Sequence, residues 1–199
     1  MGSDANRLRR IWQTYSGNNA ANAENDFFQT FNTLFEGTEY KIIRNPKDFN
    51  TLYVGVELSE QEKSEIYNPE VTITKHGVFP DYAIKNTETN KTIYIEVKRQ
   101  DGWVEGGKRS DGRGNAHERS CKFFTPGLMS ALRKAGNLSK ETIPFWTIFI
   151  GDVTRDPCRV REVKLWYTGI ENHYFMWRNQ RIATPIIEHF LEKIKPLID

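Results

Sequence analysis

Pro80-Asp-Tyr-Ala-Ile-Lys-Asn86 and Lys91-Thr-Ile-Tyr-Ile-Glu-Val-Lys98 flank the polar tetrapeptide Thr87-Glu-Thr-Asn90. Both flanking runs alternate. Tyr82 and Ile84 share one face of the first. Ile93, Ile95 and Val97 share one face of the second, with Tyr94, Glu96 and Lys98 on the other. This is the period of a β-strand, and a four-residue loop is a common hairpin connection. Pairing Asn86 with Lys91 sets Asp81 opposite Glu96. Opposed residues share a face, with Cβ atoms about 4.5–5.5 Å apart. A slip of one residue would send the two acids to opposite faces.

Carboxylates held that close repel and weaken the hairpin unless positive charge offsets them. A divalent cation does this. Mg²⁺ takes oxygen ligands at about 2.0–2.1 Å and keeps waters that a substrate phosphate can replace. Asp81 and Glu96 are the candidate metal ligands. The Val97 backbone carbonyl is a third, its side chain being turned to the core. Lys98 shares the Glu96 side of the strand and is placed to hold an attacking water or a phosphate. Asp81, Glu96 and Lys98 therefore form the candidate catalytic set, with Mg²⁺ as cofactor. Alone, so short a pattern favours a plainer reading: a solvated hairpin face with an ordinary Glu–Lys pair.

A second constellation is Arg113-Gly-Asn-Ala-His-Glu-Arg119. The glycine-rich, charged stretch 101–112 before it reads as a loop. Asn115 can cap a helix, with Glu118 at the capping-box position. Such a helix start directs amides and a positive dipole outward, which suits phosphate. The side chains also suit base edges: arginine pairs with guanine, asparagine with adenine, and a carboxylate accepts from an amino group. The plainer reading is a capped surface helix with an exposed Glu118–Lys122 pair.

Together the two constellations resemble the type II restriction endonucleases of the EcoRI type, within the PD-(D/E)xK nucleases, and most closely their MunI-like branch. The likeness continues in Arg99-Gln-Asp-Gly-Trp103, Ser120-Cys-Lys122, Phe124-Thr-Pro-Gly127, Pro144-Phe-Trp146, Gly151-Asp152, Thr154-Arg-Asp-Pro157 and Tyr174-Phe-Met-Trp-Arg178. The resemblance implies a restriction-endonuclease-like α/β fold, a central mixed β-sheet flanked by helices. It also implies a homodimer that cuts both strands of palindromic double-stranded DNA with Mg²⁺. Asn115, Ala116, Glu118 and Arg119 would face the central AATT, while Gly114, His117 and Lys122 are further candidate DNA contacts. The MunI-like branch carries an arginine at the position of Arg113, which EcoRI lacks. That match implies that Arg113 reads an outer C·G pair, giving CAATTG cut after the first C with four-base 5′ overhangs. The segment starting at Asn115 is expected near the two-fold axis. Membership of a restriction–modification system implies a cognate DNA methyltransferase as functional partner. Two other readings use the same residues: a nuclease of this fold acting on structured or damaged DNA, and a DNA-binding relative that has lost catalysis.

At 199 residues the chain suits one nuclease domain spanning 1–199, its first twenty or so residues a flexible N-terminal arm. The net charge of +2 is too small to mark a nucleic-acid binder, but positions 98–122 hold seven Lys or Arg against four Asp or Glu, a local +3. Arg155, Arg159, Arg161 and Lys164 form a second basic cluster able to track a DNA backbone. Cys121 and Cys158 suggest neither a disulfide framework nor a zinc site and fit a reducing cytoplasm. No signal peptide or membrane-length apolar run occurs, so a cytoplasmic protein without a membrane partner is expected, and the resemblance implies a prokaryotic one. Helices are expected over 4–15, over 22–35 with its aromatic stripe, after Ser59, from Asn115 with a break at Pro126, near Thr154, and over 184–195. Strands are expected over 40–43 and over the apolar run 145–150.

Overall fold

The computed structural model describes residues 27–100 and 117–199. The N-terminal arm, the 4–15 helix, the first turn of the 22–35 helix and Arg113, Gly114, Asn115 and Ala116 lie outside the described residues.

The hairpin forms in the expected register. Strand β2 (Tyr82–Asn86) pairs antiparallel with β3 (Thr92–Arg99), placing Tyr82 opposite Ile95 and Ile84 opposite Ile93. The Asn86 amide donates to the Lys91 carbonyl at 3.0 Å. Asn86 Oδ1 accepts from the amides of Glu88 and Thr89 at 2.9 and 3.2 Å, and Asn90 takes the left-handed φ of +60° that closes the loop. The loop is tied to the end of the chain: Thr89 Oγ1 donates to the Ile198 carbonyl at 2.6 Å and Lys91 Nζ to that of Asp199 at 2.5 Å.

Three more strands complete a mixed sheet in the order β1-β2-β3-β4-β5. β1 (Tyr40–Arg44) runs antiparallel to β2, while β4 (Phe145–Ile150) and β5 (Tyr174–Trp177) run parallel to β3 and β4 respectively. The apolar run of β4 lies inside the sheet with Phe145 to Phe149 all buried, because helices cover both of its faces.

One face packs Ile84, Ile93, Ile95, Trp146 and Ile148 against α1 (Phe27–Phe35) and the C-terminal helix. The aromatic stripe of α1 is core, as its spacing predicts. The other face packs Ala83, Tyr94, Phe145 and Phe149 against Phe123, Leu132 of α3 (Pro126–Ala135), and Val163 and Tyr167 in and just after α4 (Pro157–Trp166). Between β1 and β2 lies a long excursion bearing the short helix α2 (Glu60–Glu65). Its capping box joins Ser59 and Glu62, and it buries none of its residues.

Three expectations are adjusted. The helix expected near Thr154 begins at Asp156, whose Oδ1 accepts from the amides of Cys158 and Arg159 at 2.9 and 3.2 Å; Thr154 closes a preceding 3₁₀ turn. Asp before Pro is the stronger start signal. The segment leading to Pro126 is a 3₁₀ helix, Glu118–Phe124, rather than an α-helix. The C-terminal helix, α5 (Thr184–His189), widens into a π-helical turn at Phe190–Ile194 before continuing to Ile198. It buries Ile186, Ile187, Phe190 and Ile194 as expected.

Candidate active site

The sheet delivers the two acids to one end of the hairpin. One step beyond the Tyr82–Ile95 pair, Asp81 stands opposite Glu96. Asp81 is half-buried, and its Oδ2 accepts from the Val97 amide at 2.7 Å. A residue in a strand directs its N–H and C=O to the same side. The Val97 carbonyl therefore also opens toward Asp81, away from β4, while the Val97 side chain packs on the core.

Glu96 is 4% exposed, and its Oε2 is buried with no hydrogen-bond partner among the described residues. Burial pushes its carboxyl above the usual range; Lys98 opposes that shift and Asp81 adds to it. The Lys98 ammonium bonds Glu96 Oε1 directly. Lys122 Nζ approaches the same oxygen at 3.9 Å. Lys122, expected as a DNA contact or as the partner of Glu118, is a second cation beside Glu96. No local pattern could show this, because it depends on how the 3₁₀ segment lies against β3. Behind the site, Tyr167 donates to Thr147 Oγ1 at 2.7 Å, where Thr147 pairs with Glu96 across β3 and β4.

The donor set fits a hard divalent cation. Two carboxylates and one backbone carbonyl converge, and one buried carboxylate oxygen lacks a partner. Among the described residues, no cluster of three or more His, Cys, Asp or Glu is placed to hold a metal ion.

Glu118 and Arg119 are exposed at the start of the 3₁₀ segment, free to face a ligand. His117 is a correction to the sequence reading. Its ring is 0% exposed and turned inward between Gln100 and Glu162, so its side chain presents no surface to DNA. His173 is buried, with Nδ1 at 2.9 Å from the Phe145 carbonyl. His189 is half-buried against Trp146, and burial pushes it down to about 4. Neither is placed as a ligand. In the second basic cluster, Arg159 is tied to Glu162 at 2.8 Å and Arg161 to the Pro157 carbonyl at 2.6 Å. Cys121 and Cys158 are free thiols. No helix among the described residues is long and apolar enough to cross a membrane.

Comparison with known proteins identifies the family. The family model for type II restriction enzyme MunI matches residues 1–199. The type II restriction enzyme MunI of a Mycoplasma species is 48% identical over 202 residues, covering 100% of both chains. The crystal structure of MunI restriction endonuclease in complex with cognate DNA superimposes with a TM-score of 0.85 at 48% identity, covering 94% of this chain and 97% of that one. The α/β sheet with helices on both faces is thus the restriction-endonuclease-like fold. From its motifs, its architecture and these full-length matches, the chain belongs to the MunI family of type II restriction enzymes, site-specific DNA endonucleases.

Proposed function

We propose that this chain hydrolyses both strands of CAATTG after the first C, leaving four-base 5′ overhangs with 5′-phosphate and 3′-hydroxyl ends. The observation that carries the reading is the meeting of Asp81, Glu96 and Lys98 at one end of the β2–β3 hairpin, with Glu96 buried and one of its oxygens unpartnered. Asp81, Glu96 and the Val97 carbonyl would hold Mg²⁺. When bound, the ion supplies Lewis-acid charge stabilisation and a more acidic water. The chain's own groups do the rest. Lys98 holds positive charge against the phosphorus as negative charge builds there, and Lys122 adds to that field from the 3₁₀ segment. Glu118 and Arg119, with Arg113, Asn115 and Ala116, read the base edges, and Gly114 approaches the DNA beside them. A palindromic site calls for a two-fold homodimer, one subunit to each strand. A cognate DNA methyltransferase would protect host DNA, and the enzyme would work in the prokaryotic cytoplasm.

Sequencing the ends released by this protein from a random DNA library with Mg²⁺ tests site, stagger and palindromy together. Ends at C/AATTG are expected. Ends without a common sequence point to a nuclease for structured or damaged DNA, and the absence of ends to an inactive relative.

The raised carboxyl of Glu96 adds a pH dependence. A folded-state pKa above the unfolded one contributes stability fully present below the ordinary carboxylate value and lost as pH rises through the raised value. A cation on Glu96 replaces the proton and restores that stability. Excess Mg²⁺ should therefore raise the melting temperature at neutral pH, by the equivalent of about 2.7 kcal/mol at 100-fold over Kd. The increase should shrink as pH falls toward the carboxylate range. An undiminished Mg²⁺ shift in Glu96→Gln would remove Glu96 from the ligand set.

A further inference from the structure

We infer that His117 is a positioning residue that sets the base-reading segment against the catalytic strand. The inference rests on the DNA-cleaving function proposed above. His117 stands immediately before Glu118 and Arg119, and three elements meet on its ring. Nδ1 lies 3.2 Å from Oε1 of Gln100, two residues beyond Lys98 on the same chain path. Nε2 lies 3.0 Å from Oε2 of Glu162 on α4. The flat of the ring stacks on Trp166 of α4, centroids 5.4 Å apart and planes 14° apart.

Each partner is itself fixed. The Gln100 amide donates to the Ile150 carbonyl at 3.3 Å, and its carbonyl accepts from Val153 at 3.1 Å. Gln100 thereby continues the β3–β4 pairing past the active site. Glu162 accepts from Arg159 Nη1 through both oxygens, at 3.0 and 2.8 Å. The Arg159 hydrogen bond holds the Glu162 carboxyl below the usual range, so it is an anion and Nε2 donates to it. On its other side the ring meets the Gln100 side-chain amide through Nδ1. The His117 carbonyl in turn accepts from the Ser120 hydroxyl at 2.8 Å, pinning the backbone that carries Glu118 and Arg119.

A histidine kept only for packing would not need both nitrogens engaged by two separate elements. Here the two bonds fix the distance from Lys98 to the base-reading side chains. Loosening them lets Glu118 and Arg119 adjust to a wrong base pair without moving it away from the catalytic lysine. Discrimination, more than cleavage itself, should therefore suffer.

The test uses the full chain with His117→Leu and, leaving the core untouched, Glu162→Ala. kcat/KM is measured on duplexes holding CAATTG and on duplexes with one base pair changed. The ratio of the two is taken on each preparation, so the folded fraction cancels. We expect the ratio to fall about tenfold in each variant, the scale of one lost charge-assisted hydrogen bond. The double variant should fall little further than either single one, since both break one network. A wild-type ratio in both variants, even with a lowered melting temperature, makes His117 a packing residue and overturns the inference. A wild-type protein that does not itself discriminate overturns the proposed function, and this inference with it.

Discussion

Cleavage of the proposed CAATTG site should fall by about 100- to 1,000-fold when Lys98 is replaced by alanine, the scale of losing one preorganised charge aimed at a transition state. Lys98 sits two residues from Glu96 on the same side of β3, and its ammonium contacts Glu96 Oε1. No other described lysine is as close: Lys122 stands 3.9 Å from that oxygen. Lys122 can offset part of the Glu96 charge, so the variant should fold. It should also bind DNA, because the residues proposed to read bases lie on another segment. Single-turnover cleavage paired with fluorescence-anisotropy binding separates the two effects. Cleavage within about threefold of wild type, far inside the range expected for such a charge, would strip Lys98 of its role. Asp81→Ala should be at least as inactive, since it removes a proposed metal ligand and the acceptor of the Val97 amide together.

Trp146→Ala should destabilise the fold by about 3–5 kcal/mol. For a chain of this size that corresponds to a melting temperature lower by about 10 °C. Trp146 is fully buried in β4. It meets Phe27 and Phe31 of α1 at 5.8 Å, Phe190 at 6.3 Å, and the His189 ring at 5.5 Å with planes 8° apart. One side chain thus joins the sheet, α1 and the C-terminal helix. Its indole nitrogen has no hydrogen-bond partner among the described residues, so the loss is one of packing. Trp146→Phe, which keeps a ring, should therefore cost less than half as much. Thermal melts of the two variants decide this, and equal losses would contradict the packing account.

The hairpin was legible because its alternation, its loop and its two acids all require one register, and a slip would have broken each of them at once. β4 was legible because an unbroken apolar run has only a buried place to go. The capping box at Ser59 was legible because it is entirely local. What the sequence withheld depends on contact between distant segments. The inward turn of His117 needs α4, whose Glu162 and Trp166 lie far along the chain. The approach of Lys122 to Glu96 needs the 3₁₀ segment to lie against β3. The π-helical turn at Phe190–Ile194 was hidden because the same residues face the core whether that turn is wide or tight. The cap of α4 could have been placed correctly, since Asp156 before Pro157 is a plain start signal.

The tie between the hairpin loop and residues 198 and 199 has a consequence in time. A solitary hairpin is barely stable in water. This one has β1 and α1 before it in the chain, but it gains β4 and the C-terminal helix only after residues 145–198 have been made. A chain still being made therefore carries Asp81 and Glu96 before β4 and the C-terminal helix are there to brace the far side of the hairpin.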